Sequence, residues 1–296
     1  MHDGSSKAGN GKAVLSISSH VVRGSVGNRA MVFAFQTLGL PVWALPTVVL
    51  PWHPGHGRST RSVLQAEDLA AMADDIAASA FADEIGTVVC GYFGSADQVA
   101  VMADLIERLK RRNPALLHVC DPVIGDHGGI YVSDATAEAI RDRLLPLADL
   151  TTPNRFELSW LCGADLRDNN EIMEAALALG PARVLVTSAY SMLNGGTGNL
   201  FLSGSHALLA EHRHIEDAPK GTGDLLTALF TARLTEGHSE ERCLQLATAA
   251  VFEIIARSAR RSASEMMLEE DATSLVSPMA LVQIRHLLHP VNRRGR

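Results

Sequence analysis

This sequence predicts an α/β protein with a mostly parallel sheet, on three observations. From Ala13 onward, short apolar runs rich in β-branched residues alternate with longer amphipathic stretches. Most of the runs are nearly continuous in apolar character, as strands covered by helices on both faces must be. The stretches between them are long enough for the helical crossover that parallel strands require.

The elements follow in order. Strands are expected at Val14 to Ser18, Val42 to Thr47, Thr87 to Cys90, Leu116 to Cys120, Leu150 to Thr152 and Arg183 to Thr187, where apolar and β-branched residues cluster. Amphipathic helices are expected between them at Gly27 to Leu40, Gln65 to Phe81, Ala96 to Arg112, Asp134 to Leu145 and Glu171 to Leu179. Asn194 to Gly198 then reads as a turn, with Asn199 to Leu202 and Ala207 to His214 as an antiparallel pair. Two long helices follow at Asp224 to Glu236 and Glu240 to Arg257. Arg260 to Pro278 is polar enough for a loop, and Ala280 to Leu288 is expected as a last short helix. Residues 1–12 are polar and rich in Gly and Ser, so a disordered tail is expected there. No linker interrupts residues 13 to 260 and no repeat is apparent, which makes 13–296 one domain, with function expected in neither tail.

The 296 residues are 47% apolar and 20% charged, which suits a sizeable core and excludes disorder as the main state. Lys and Arg number 26 against 33 Asp and Glu, a formal charge of −7, and no basic block exceeds Arg293, Arg294 and Arg296. That balance argues against a nucleic-acid partner. The longest apolar runs, such as Val42 to Pro51, fall short of the roughly 18 to 20 residues of a membrane helix, so no membrane partner is expected. Cys90, Cys120, Cys162 and Cys243 have no close spacing and are expected as buried thiols of a cytoplasmic protein.

The segment Asp217-Ala-Pro-Lys-Gly-Thr-Gly-Asp-Leu-Leu-Thr-Ala-Leu-Phe230 carries the most chemistry. Two glycines one residue apart permit unusual φ/ψ, and an apolar helix opens directly after them, so several free N–H groups are expected to point at one spot that favours anions. Asp224 has two readings: a first-turn carboxylate favoured by the helix dipole, or a base for a hydroxyl attacking a phosphoryl group held there. A Walker A loop is excluded because Gly11-Lys12 is followed by Ala13 and precedes the first strand, and no GxGxxG follows a strand.

Ser19 and His20 fall at the carboxyl end of the first strand, where open α/β sheets bind ligands, although such residues also merely close a strand. Asp121 ends another strand before Pro122, where it could equally satisfy loop amides. Thr152 ends a third, and Glu157 falls on the first turn of a helix. Asp121 and Glu157 at adjacent strand ends would suit Mg²⁺, which takes one or two carboxylates with water and phosphate oxygens. The pairs His53/His56 and His212/His214 lack a complementary Cys or Asp cluster and read as surface histidines. Of the four lysines only Lys220 is placed to touch a phosphate.

Taken in order, Ser18-Ser-His-Val-Val-Arg-Gly-Ser-Val-Gly-Asn-Arg-Ala30, Cys120-Asp-Pro-Val-Ile-Gly125, Thr152-Pro-Asn-Arg-Phe-Glu157 and Gly221-Thr-Gly-Asp224 resemble the pyridoxal kinases of the ribokinase-like superfamily. The resemblance runs from about Val14 to beyond Ile254. It implies a three-layer α/β/α domain, usually a homodimer, that phosphorylates the 5′-hydroxyl of pyridoxal with MgATP. It further implies Asp224 as the base and the N–H groups of Gly221, Thr222 and Gly223 as the anion hole. Asp121 and Glu157 would surround metal and phosphates. Thr152 and Tyr131 would lie near the nucleotide phosphates, and Thr187 and Ser188 near the nucleotide. Ser19 would hold the polar edge of the pyridine ring, with Val26, Tyr92 and His53 lining the pocket.

The chain departs from the family pattern in two places. Val49-Leu-Pro-Trp-His-Pro54 stands where many members read Gln-Phe-Ser-Asn-His-Thr, which inserts an indole. Trp52 is therefore a candidate stacking partner for a flat ring, with a sheet-edge or dimer role as the alternative. The flap after Asp126 is short, with His127-Gly-Gly-Ile130 before Tyr131. A hydroxymethylpyrimidine kinase shares the fold but usually carries a Gly/Ser-rich turn after the first strand, where this chain has Ser-His-Val-Val-Arg-Gly. A sugar kinase lacks support near the amino terminus. A non-catalytic binder of B6 vitamers would keep the pocket, and the intact Asp224 argues against it.

Overall fold

The computed structural model describes residues 12–290, so the tail expected at 1–12 lies outside the described residues except for exposed Lys12. The chain runs β1 (Ala13–Val21), α1 (Asn28–Thr37), β2 (Val42–Leu50), β3 (Ser62–Val63), α2 (Ala66–Ala78), β4 (Ile85–Cys90), α3 (Ala96–Arg112) and β5 (Leu117–Cys120). A small hairpin, β6 (Gly125–Asp126) and β7 (Gly129–Ile130), precedes α4 (Asp134–Ala139), β8 (Leu150–Thr151), α5 (Arg155–Cys162), α6 (Asn169–Ala178) and β9 (Arg183–Ala189). The last part comprises β10 (Gly196–Ser203), β11 (Ala207–Arg213), α7 (Thr222–Thr235), α8 (Glu240–Arg260), α9 (Ala272–Val276) and β12 (Gln283–His286).

One ten-stranded sheet crosses the described residues in the order β12-β11-β10-β9-β8-β5-β4-β1-β2-β3. The six strands from β9 to β2 are parallel, and the additions at both ends are antiparallel. The period of two along each strand sorts side chains between the faces. Val14, Val89, Val119 and Leu185 pack with α1, α7 and α8 on one face, while Leu15, Val88, Cys120 and Val184 meet α2, α3 and α6 on the other. These are three α/β/α layers, as expected. In α7, Leu225 to Arg233 are all buried, which suits a helix enclosed between the sheet and its neighbours.

Four expectations need correction. The segment Ala280 to Leu288 holds no helix; Gln283–His286 is a strand whose Ile284 faces Ala210 and whose Arg285 reaches buried Glu211. The open edge of β11 offers backbone partners there, and that tertiary option overrides local preference. The turn expected at 194–198 ends at Gly195, and Gly196 and Gly198 lie inside β10. A Cβ at Gly198 would come within 2.7 Å of the Leu209 side chain, so this glycine serves close packing rather than reversal. The stretch 260–278 contains α9 and buries Met266, Leu268 and Leu275. The helix from Asp134 leaves α geometry after Ala139, passing through a wider turn at 140–144 and a 3₁₀ turn at 145–147 that contains Pro146.

Candidate active site

The site is built on the amino end of α7. Gly221 caps the helix with φ +90°, and a Cβ there would lie 2.2 Å from the Ser25 carbonyl oxygen, so only glycine fits. Gly223, by contrast, has no positive φ and open space around it, which corrects the view that both glycines serve unusual dihedrals. Its bareness keeps the helix end open. The first intrahelical bond runs from Leu225 N to Gly221 O, leaving the N–H groups before it without helical acceptors.

Asp224 lies in this first turn, and its Oδ2 accepts from Gly27 N at 2.9 Å. Burial raises its pKa to about 6, against the opposing effect of the Gly27 bond. One turn further on, Thr227 donates to Asp121 Oδ2 at 3.3 Å, and its hydroxyl lies 2.8 Å from that of Thr152. Asp121, Thr152 and Glu157 are all buried. Burial and the charge of Asp224 push Asp121 well above the ordinary carboxylate range, and burial and the charge of Asp121 do the same to Glu157.

Glu157 has more to hold than a sequence shows. Its Oε2 accepts from Asn154 N at 2.8 Å in a capping box, and its Oε1 accepts from Ile124 N at 3.0 Å and Gly125 N at 3.3 Å. Among the described residues, none of these three carboxylates pairs with Lys, Arg or His. A buried surplus of negative charge fits a divalent cation. Asp121 and Glu157 could contribute to such a site, although no group of three or more His, Cys, Asp or Glu that could hold a metal ion occurs among the described residues.

A second group gathers at the carboxyl end of β1. The β1–β2 register shifts between Ser18 and His20, where Thr47 and Val48 of β2 stand opposite the single residue Ser19, which lies close against Gly27. Buried Asn28 stabilises this bend: its Nδ2 donates to Ser18 O at 2.9 Å and to Leu45 O at 3.3 Å, and Ser16 Oγ donates to its Oδ1 at 2.7 Å. Val26 packs with Val21, Val48, Leu50, Val63 and Tyr92 in an apolar cluster. Tyr92 is fixed by its N–H to Ser18 Oγ at 3.1 Å and by Arg61, which donates to its hydroxyl at 2.8 Å. Trp52 is 37% exposed and outside that cluster; its indole N–H donates to Gly57 O at 3.2 Å. His53 accepts from Gly55 N on Nδ1, and its pKa is lowered by burial and then by the charge of Lys220.

On the other side of the α7 terminus, Thr187 and Ser188 line a cavity of about 160 Å³ with Thr222, Gly223, Asn199 and His214. Ser188 takes φ 56°, a costly value for serine that is stored at this edge. Lys220 pairs with Asp126 at 3.3 Å, tying the loop before α7 to the β6–β7 hairpin. The Tyr131 residue is partly open to solvent, and the burial of its hydroxyl together with its hydrogen bond to Asp126 raises the hydroxyl pKa. Sequence reasoning missed Thr227, Asn28, Arg61 and Asn154. Only Asn154, at the N-cap three residues before Glu157, left a local signal.

The solved structure of the Leishmania donovani pyridoxal kinase in complex with ADP and pyridoxamine matches with a TM-score of 0.87 at 26% identity, covering 94% of this chain and 100% of that one. Fold and site together define a small-molecule kinase of the α/β/α type, and the family model described as phosphomethylpyrimidine kinase matches residues 58–268. The pyridoxal kinase PdxY of Rubrobacter xylanophilus is 35% identical over 289 residues, covering 94% of this chain and 99% of that protein; its Corynebacterium diphtheriae counterpart is 30% identical over 280 residues, covering 93% and 99%. The chain belongs to the pyridoxal kinase family, within the ribokinase-like fold.

Proposed function

We propose that this chain transfers the γ-phosphoryl group of ATP to the 5′-hydroxyl of pyridoxal, giving pyridoxal 5′-phosphate and ADP. The observation that carries this reading is Asp224, a carboxylate with a raised pKa held at an anion-favouring helix end between the Thr187–Ser188 cavity and the Val26–Tyr92 cluster. Asp224 takes the proton as the hydroxyl oxygen attacks phosphorus. The N–H groups of Gly221, Thr222 and Gly223 face the charge that develops on the phosphoryl oxygens. Thr187 and Ser188 hold the nucleotide, and Thr152, Tyr131 and Lys220 approach its phosphates. Ser19 meets the polar edge of the pyridine ring, with Val26, His53 and Tyr92 around it.

Mg²⁺ held by Asp121, with Glu157 acting through water, would neutralise charge on the transferring phosphate. We further read residues 13–296 as one domain and the assembly as a homodimer, supported by exposed Val22, Val49 and Trp52 near the short edge strand β3. The four free cysteines and the lack of a membrane-length apolar helix among the described residues support a cytoplasmic location. The test is ADP release in a coupled assay with pyridoxal, with hydroxymethylpyrimidine as the competing substrate. Turnover on hydroxymethylpyrimidine alone would reassign the substrate, and vitamer binding without ADP release would make the chain a binder.

A further inference from the structure

The segment around Glu265 belongs to a stretch that reads as a polar loop, yet its carboxylate is only 13% exposed and has three donors from two distant parts of the chain. Ser25 N donates to Oε2 at 3.3 Å, Arg23 Nη1 to Oε1 at 3.5 Å, and His56 Nε2 lies 2.7 Å from Oε1. Neighbouring atoms reinforce the contact: Ser25 Oγ donates to Met266 O at 2.9 Å and Arg23 Nη2 to Ser264 Oγ at 3.1 Å. The turn is shaped around this carboxylate, because a Cβ at Gly24, which has φ +109°, would lie 2.5 Å from Oε1.

What Glu265 holds is next to the chemistry. Two residues after Ser25, Gly27 N donates to Asp224, and between them Val26 packs in the apolar cluster with Tyr92 that the functional reading assigns to the vitamer. The Ser25 carbonyl also abuts Gly221, the cap of α7. On the other arm, His56 ends the Pro54–His56 turn that follows His53 and Trp52. One carboxylate therefore ties the turn that fixes the base to the segment beside the pocket.

We propose that Glu265 is a positioning residue for phosphoryl transfer, holding the 23–27 turn against Asp224 and the 54–56 turn beside the vitamer pocket. This rests on the pyridoxal kinase reading. Removing it misplaces the Gly27 donor and loosens one wall of the acceptor pocket, while the nucleotide cavity, lined by β9, β10, β11, α7 and α8, keeps its residues. A carboxylate that served stability alone would affect both substrates equally, through the folded fraction.

Steady-state kinetics of parent, Glu265→Gln and His56→Ala, with both substrates varied and melting temperatures recorded, test this. Glu265→Gln is expected to raise the pyridoxal KM and to lower kcat, each by about tenfold, with the ATP KM within about twofold of the parent. His56→Ala removes one arm and is expected to raise the pyridoxal KM with a smaller fall in kcat. If Glu265→Gln does not fold, Arg23→Gln with His56→Ala replaces it, and the same selectivity for pyridoxal over ATP is expected. Unchanged pyridoxal kinetics, or equal changes for both substrates alongside a lower melting temperature, would overturn the proposal. A parent that phosphorylates no pyridoxal removes the functional reading and this inference with it; an active parent with an indifferent variant removes this inference alone.

Discussion

Replacing Asp224 with Asn separates its chemical role from its structural one, because the two effects have opposite signs. An amide oxygen can still accept from Gly27 N, so the local geometry is retained. It cannot take a proton, and loss of a general base typically lowers kcat by ~10²- to 10⁴-fold, or ~2.7 to 5.5 kcal/mol of barrier. Stability should move the other way. The carboxyl pKa is raised from 3.8 to about 6 on folding, so the ionised form is disfavoured in the native state. A raised folded pKa means the protein loses stability as pH rises from 3.8 through 6, and the gap corresponds to up to ~3 kcal/mol above pH 6. Asp224→Asn is therefore expected to be nearly inactive yet more stable at pH 8, by up to ~6 °C in melting temperature. At pH 5 the gain falls to roughly half. Parent kcat should decline below about pH 6 as the base protonates. Coupled ADP assays with saturating pyridoxal, and thermal unfolding at both pH values, read the two effects. A variant with turnover within about threefold of the parent removes Asp224 from the role of base, and one that is less stable at pH 8 refutes the desolvation argument.

Other substitutions test neighbouring parts of the site. Gly221→Ala meets both a positive φ and the Ser25 carbonyl, so a loss of ~2 kcal/mol or more in denaturant unfolding is expected, and a neutral result would refute the turn geometry. Gly223→Val projects into open space and should fold normally, with an ATP KM raised by about tenfold or more; an unchanged KM would show that no phosphate approaches there. Thr227→Val keeps volume but removes the donor to Asp121, and a fall in kcat of about tenfold is expected, from a hydrogen bond worth ~1 to 1.5 kcal/mol. Equal kinetics would make Thr227 a packing residue. For Trp52→Leu, the stacking reading expects loss of pyridoxal-induced fluorescence quenching and weaker pyridoxal binding by ~0.5 to 1.5 kcal/mol with ATP affinity intact; tight binding with lower stability or loss of the dimer would make the residue structural.

Periodicity determined the layered architecture, because an apolar run of β-branched residues between amphipathic segments has few other ways to bury its surface. Asp224, Asp121 and Thr152 were legible for a related reason: each stands at or next to the end of an element, where local chemistry marks a polar residue. Gly221 and Gly223 were legible as a pair but not individually, since φ +90° at one and a helical value at the other depend on where α7 begins and on the Ser25 carbonyl. Tertiary structure alone decided the rest. β12 is a strand because β11 presents an open edge to it, and no preference within residues 280–288 records that edge. Glu157 is held by N–H groups from another turn, and Glu265 meets Ser25 across 240 residues of chain. Such contacts leave no period or spacing, because they are made between segments that only the folded sheet brings together.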